Sequence, residues 1–309
     1  MNGSRPSSRG SASVLKAAVE GRLVPNEAEV ARQEKRDYEP AQALLNRILK
    51  DRRRHWEEAE LARLTKIGKT PRDNKWKAKY KEPEAPDISK VPALPEGWCW
   101  ASPGQAFDWS SGEFLPKKAQ KPGPVPVFGG NGINGFHKEP LVLSPTLVVG
   151  RVGAQCGNLH ITEGPAWITD NAIFAVEPPT SANLRYWHMV IGRQDLNANA
   201  GGTGQPYVNQ KHLNDLCVPL APAAEQERIL DATEDLLSVG DHAAREADAS
   251  IRRCARLRQS VLRWAFEGKL VDQDPSDEPV QVLLARIKAG RTSAAPVKKT
   301  SGRKATGAS

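Results

Sequence analysis

The sequence is poor in cysteine, with four in 309 residues (Cys99, Cys156, Cys217 and Cys254), and no two of them form a CxxC pair. That scatter argues against a disulfide framework and a zinc site, and free thiols fit a cytoplasmic protein. No apolar run approaches the roughly 18 residues that a membrane helix needs. The first residues, MNGSRPSSRGSA, have no apolar stretch and do not read as a secretory signal. His137, His160, His188 and His212 fall in separate segments without metal-ligand spacing. Ser110 and Ser144 lack a nucleophile elbow. GGTG at 201–204 lacks the Gly-Lys-Ser/Thr ending of a phosphate loop, and GGNGING at 129–135 has no strand–turn–helix setting for a dinucleotide fingerprint. The Asp170-Asn171 pair in WITDNA has no companion cofactor motif and reads as a turn before a strand. No catalytic constellation remains, so catalytic and metal residues are expected to be absent.

Charge is abundant by contrast. The formal net charge is +8 and the mean hydropathy is −0.54. Residues 45–82 hold thirteen Lys/Arg against six Asp/Glu, and 288–309 hold six Lys/Arg and no acid. Between them, 94–222 is nearly neutral, with eight basic and nine acidic residues. Nucleic acid is a natural partner for the basic segments. Solvated helix faces and a disordered tail explain the same charge equally well. Trp76 and Tyr80 lie between lysines. They either grip a phosphate backbone or pack the segment onto its neighbour, and packing is the favoured reading.

The longest pattern begins near Ala224. Steps of four and three from Ile229 reach Thr233, Leu236, Gly240, Ala243, Ala247, Ser250, Cys254, Leu257, Val261 and Trp264, with no proline between. This heptad seam predicts a helix of about forty residues, roughly 60 Å long, able to pair closely with another helix through its small middle residues. Its end, SVLRWAFEGKLV at 260–271, nearly repeats SVLKAAVEGRLV at 13–24, with eight of twelve positions identical. EPAQALLNRI at 39–48 likewise matches EPVQVLLARI at 278–287 at seven of ten positions. The first copy carries eight extra residues between its blocks. One helix-end module is thus used twice, with a domain between the copies.

The chain divides accordingly. Residues 1–12 are expected to be disordered, and 13–64 to form short helices, with 14–22 and 39–64 helical, 25–38 irregular and Arg52, Arg53 and Arg54 making a cationic face. A basic linker occupies 65–93 and a mixed α/β domain 94–222. The long helix and its end module take 223–291, and a disordered basic tail 292–309. Runs at 141–153 and 172–178 predict buried strands, and 183–191 a short helix. The fold class is α+β. Two loops, 128–136 and 199–213, are dense in glycine, which permits close backbone approach to a ligand or tight turns alone.

LPEGWCW, VPVFGGNGINGF, VGRVGAQCGN, WITDNAIFAV, GTGQPYVNQKHL and VPLAPAAEQERI, closed by SVLRWAFEGKLVDQDPSDEPVQVLLARI, follow one another over 94–291. In this order they resemble the specificity subunit of type I restriction-modification systems. The resemblance implies target-recognition domains that each read half of a split DNA site, alternating with long helices that pair antiparallel and dock the methyltransferase subunits. It further implies that the restriction/translocase subunit joins through the complex. S-adenosylmethionine, ATP and Mg would be bound by those partners, leaving this chain non-catalytic and without a cofactor. The family places another recognition domain and helix before residue 14, so this chain resembles the C-terminal half. Two explanations stay open, a fragment or a half-subunit that pairs its helix with a second copy or another specificity chain. The alternative function is a scaffold that binds the methyltransferase subunit through its coiled coil without reading DNA.

Base reading calls for side chains that match base edges. By chemistry the candidates in 94–222 are Asn131, Asn134, Arg151, Gln155, Gln205 and Asn209, with Lys117, Lys118, Lys121 and Lys211 for phosphates. The near-neutral charge of this domain predicts weak binding alone and specific binding in complex. The coiled-coil seam is assigned to Ile229, Leu236, Ala243, Ala247, Cys254, Leu257 and Val261.

Overall fold

The computed structural model describes residues 8–69, 71, 73–153, 156–194, 196, 207–272 and 274–293. They divide into two units, Met1–Ala244 and Arg245–Ser309. The first opens with α1 (Ser8–Val19), α2 (Glu27–Glu34) and α3 (Ala41–Lys66). A domain follows, built from β1 (Cys99–Ala101), α4 (Pro103–Ala106), β2 (Asp108–Ser111), β3 (Val125–Gly129), β4 (Gly132–His137), β5 (Leu147–Gly150), β6 (Leu159–Ile161), β7 (Trp167–Ile168), β8 (Ala172–Val176), α5 (Leu184–Gly192), α6 (Gln210–Asn214) and β9 (Val218–Leu220). The long helix α7 (Ala223–Phe266) crosses the unit boundary, and α8 (Val280–Ser293) belongs to the second unit. The architecture is the expected α+β class.

Four antiparallel strands run in the order β2-β8-β5-β6, and a second sheet has the order β4-β3-β7, with β3 and β7 parallel. The run 141–153 supplies only one strand, β5, because Val142 makes just an isolated bridge to Ala166. Strands β5 and β8 are buried on both faces, which explains their unbroken apolar runs. Alternation sends Leu147, Val149, Ile173 and Ala175 into the main core with Tyr186 and Trp187 of α5. It sends Val148, Ala172 and Phe174 into a smaller core with Phe128 and Ile168 of the other sheet. β1 pairs antiparallel with β9, Cys99 opposite Leu220, and so ties the two ends of the domain together.

The first copy of the repeat is seated at this base. Ala18, Ala41, Leu44, Leu45 and Ile48 are buried in the main core beside Trp98, Ala101, Ala106 and Ile229. The amide of Ala41 donates to the carbonyl of Gly97 at 2.7 Å. α1 begins at Ser8, so residues 8–12, expected to be disordered, include its first turn. Residues 25–38, expected to be irregular, contain α2, whose length equals the eight-residue insertion. Asn26 caps α2 by accepting from the amide of Ala28, and acidic Glu27 and Glu29 suit its first turn. Glu27 is buried between Arg36 and Arg228, each 2.7 Å away, and its amide donates to Glu225 at 2.8 Å. Tertiary ion pairing thus orders a segment whose composition reads as a solvated loop. Burial works against the Glu27 carboxylate, but ion pairing with Arg36 and Arg228 holds its pKa below the usual range. Burial raises the pKa of Glu225, against hydrogen bonds from the Glu27 amide and the Trp98 indole.

In the second unit the repeat recurs with the same local geometry. Gly21 and Gly268, at φ +65° and +67°, each end a helix. In the first copy Arg22 N donates to Ala17 O and Gly21 N to Ala18 O; in the second Lys269 N donates to Trp264 O and Gly268 N to Ala265 O. Both are Schellman closures, which favour glycine because only it adopts the left-handed region without strain. Ion pairs repeat as well, with Arg47 2.9 Å from Glu39 and Arg286 3.0 Å from Glu278. Burial is what differs. Leu44 and Ile48 are 2% and 0% exposed, whereas their counterparts Leu283 and Ile287 are 39% and 49% exposed. α8 reaches Ser293, so 292–293, expected to be tail, are helical; 294–309 lie outside the described residues.

Candidate nucleic-acid interface

Two turns and a crossing segment build a polar cleft on the domain. β3 and β4 form a hairpin whose register shifts between Val127 and Phe128, and Gly132, the first residue of β4 after the turn, takes φ +90°. A left-handed residue there favours glycine and lets the hairpin close tightly. Gly130, Asn131, Ile133, Asn134, Val152 and Asn171 line a cleft of about 350 Å³. Backbone bonds hold its walls in place. Arg151 N donates to Asn171 O at 2.9 Å, and Val208 N donates to Arg151 O at 2.8 Å. Val152 bridges to Tyr207, bringing the segment before α6 alongside. Ile133, Val152 and Tyr207 are exposed apolar groups around carboxamide donors and acceptors. Such a mixture suits base edges, with carboxamides for hydrogen bonds and apolar groups for a thymine methyl.

The candidate residues fall into distinct places. Asn131 and Asn134 are exposed and line the cleft. Arg151 stands beside it, partly buried, with its guanidinium 3.4 Å from the Ser111 hydroxyl. Asn209 is the N-cap of α6, its side-chain oxygen accepting from the amide of His212 at 2.9 Å. Its carboxamide oxygen is therefore engaged in holding α6. Lys211 is exposed on that helix. Lys117 and Lys118 lie in a 3-10 turn, and the amide of Lys121 donates to His137 Nδ1 at the end of β4. The Lys121 ammonium is 3.5 Å from Glu139. Gln155 and Gln205 lie outside the described residues. The chemistry-led selection omitted Asn171, Ile133, Val152 and Tyr207. Asn171 was readable as a turn residue, but its place against the hairpin comes from the pairing of distant segments.

A second hollow, of about 780 Å³, shares Ile133 and Gly132 with the cleft and is lined by Phe128, His160, Glu163 and His188. Burial, and then the neighbouring His188, push the His160 pKa down. His188 Nε2 is 3.2 Å from the carbonyl of Leu159.

The basic segment 45–82 is extensively paired. Arg52 contacts Asp108 and the carbonyl of Gly104, Arg53 contacts Glu57 and Glu82, and Arg54 pairs with Asp51 at 3.2 Å. The expected cationic face is therefore largely compensated. Trp76 stacks on Trp56 at 6.2 Å, Tyr80 tilts against Trp56 at 5.3 Å, and Lys77 pairs with Glu57 at 2.7 Å. The aromatics clip the linker onto α3, which agrees with the packing reading of Trp76 and Tyr80. Of the seam, Ile229 is buried in the core of the first unit, whereas Leu236, Leu257 and Val261 are 46%, 59% and 48% exposed.

These features define a mixed α/β domain with a polar, glycine-lined cleft, set at the start of a long helix. Residues 95–241 match the family model of the type I restriction modification DNA specificity domain. The chain resembles the C-terminal half of a type I specificity subunit. The EcoprrI specificity subunit of Escherichia coli is 28% identical over 141 residues, covering 46% of this chain and 35% of the relative. The EcoAI specificity subunit of Escherichia coli is 24% identical, covering 89% of this chain and 54% of the relative. The chain spans about half the length of these curated relatives, or less. A solved structure concerned with assembly and conformational transition of the type I R-M system is 19% identical with a TM-score of 0.48, covering 74% of this chain and 58% of that one.

Proposed function

We propose that this chain reads one half of a bipartite DNA site for a type I restriction-modification complex and docks the methyltransferase subunits through α7. The observation that carries this reading is the match of 95–241 to the DNA specificity domain, coincident with the folded domain that bears the cleft. Asn131, Asn134 and Arg151 are the base-reading candidates, and Lys117, Lys118, Lys121 and Lys211 the phosphate candidates. Methyl transfer and cleavage belong to partner subunits in the cytoplasm, with S-adenosylmethionine, ATP and Mg held there. The exposed seam from Leu236 to Val261 supports a paired helix, in a second copy or in another specificity chain.

The test is to co-express the chain with the methyltransferase subunit from the same source and sequence the host DNA for modified adenines. A split palindromic motif would mean a two-fold pair of this chain, and an asymmetric motif a second, different specificity chain. A stable complex without methylation would refute this function for the chain by itself, leaving a scaffold or a fragment whose missing first half cannot be replaced. The near-neutral charge of 94–222 is the observation that favours the scaffold of these two.

A further inference from the structure

Among the described residues, α7 carries a row of arginines with few carboxylate contacts, far along the sequence from the cleft. Residues 245–266 carry six arginines against two acids, Glu246 and Asp248. Arg245, Arg252, Arg256 and Arg263 are spaced by seven, four and seven, which keeps them on one side of a helix of 3.6 residues per turn. The stripe is roughly 27 Å long at 1.5 Å per residue. All four are exposed, as are the flanking Arg253 and Arg258. Among the described residues, only Arg263 has an acidic partner, Glu267 at 2.7 Å. This contrasts with the arginines of α3, which are held by carboxylates. Short Ala249 and Ala255 leave an open recess between Arg252, Arg253 and Arg256.

The stripe lies opposite the seam. Cys254 is nine residues from both Arg245 and Arg263, Val261 nine from Arg252, and Ala247 nine from Arg256. Nine residues are two and a half turns, so a partner helix on the seam leaves the arginines facing outward. Among the described residues, Arg245, Arg252 and Arg256 have no carboxylate in contact, though Asp248 lies one turn from two of them. Such a row of guanidinium groups suits a polyanion with regularly spaced phosphates, and about 27 Å corresponds to roughly eight base-pair steps.

We infer that the Arg245–Arg252–Arg256 stripe of α7 binds the phosphate backbone of duplex DNA without regard to sequence. This rests on the DNA-reading function proposed above and supplies the positive charge that the near-neutral recognition domain lacks.

The test measures binding of the full chain to a fluorescent random-sequence duplex of about 40 base pairs, from about 20 to 150 mM NaCl. Replacing Arg245, Arg252 and Arg256 by Ala should flatten the slope of log K against log salt by about 2.7, since each phosphate that an arginine neutralises adds about 0.9 to the slope. The triple Arg→Lys variant should keep the wild-type slope, because neutralising a phosphate needs the charge and not the fork. These side chains are exposed, so circular dichroism should be unchanged. An unchanged slope in the Ala variant, or no binding of wild type at the lowest salt, overturns the proposal. Release of an acidic partner protein by the Ala variant, with DNA binding intact, overturns it too. An Asn131→Ala/Asn134→Ala variant separates the two ideas, since it should alter the methylated motif and leave this slope alone. A flattened slope without any methylated motif would sustain the stripe and overturn the proposed function of this chain by itself.

Discussion

Ile48 and Ile287 occupy the same position in the two copies of the repeat, in helices that start from the same Glu-Pro pair. Their surroundings differ. Ile48 is 0% exposed, packed with Leu44, Trp98 and Ile229, whereas Ile287 is 49% exposed. Truncating a buried Ile to Ala removes its transfer free energy and leaves a cavity, at a cost of about 2–5 kcal/mol. Ile48 is fully enclosed, so Ile48→Ala should fall in the upper half of the range. Ile287→Ala should change stability by no more than about 0.5 kcal/mol, because the site is half solvated and alanine is the better helix former. Urea unfolding followed by circular dichroism, with the two variants beside wild type at equal slope, reads the difference. Midpoint shifts of equal size would refute the claim that only the first copy is seated in a core. A larger shift for Ile287→Ala would mean that the second copy is buried instead.

Glu27→Gln should destabilise the chain at pH 7 by about 2–3 kcal/mol, less than a fully buried pair because Arg36 and Arg228 are partly solvated. With its folded pKa below the unfolded value, the Glu27 contribution is complete above about pH 4.5 and vanishes as pH falls through the folded pKa. The variant and wild type should therefore converge in acid, and a gap that widens below pH 4 would refute this. Gly21→Ala should cost at least about 1 kcal/mol in melting experiments, from its φ of +65° and a Cβ 2.5 Å from Pro95 Cγ; a neutral effect would contradict the cap geometry. A thiol reagent at pH 8 should label exposed Cys254 first and Cys99 slowly, since burial pushes the Cys99 thiol up to about 11. Mass spectrometry of the labelled peptides checks that order.

Much of the local structure was legible in the residues themselves. Heptad spacing without proline located α7 to within a residue at its start, and Glu-Pro before an apolar stripe located α3, because helix periodicity and caps are short-range properties. The repeat, down to its Gly21 and Gly268 closures, is likewise written in the chain, since a left-handed cap needs glycine wherever it occurs. Long-range pairing was not legible. Only the fold buries one copy of the repeat and exposes the other, although their sequences nearly coincide. Only the fold orders α2, through Arg36 and Arg228 on either side of Glu27, and balances Arg52, Arg53 and Arg54 with carboxylates that include Asp108 and Glu82 from far along the chain. The cleft is of the same kind. Its carboxamides could be suspected from composition, but the approach of Asn171, Val152 and Tyr207 to the β3–β4 hairpin depends on strand pairing between segments dozens of residues apart. Sequence alone determined which helices and caps can form, because those energies are local; tertiary structure decided which surfaces stay free, because burial and charge pairing are settled by neighbours that the chain brings together only when folded.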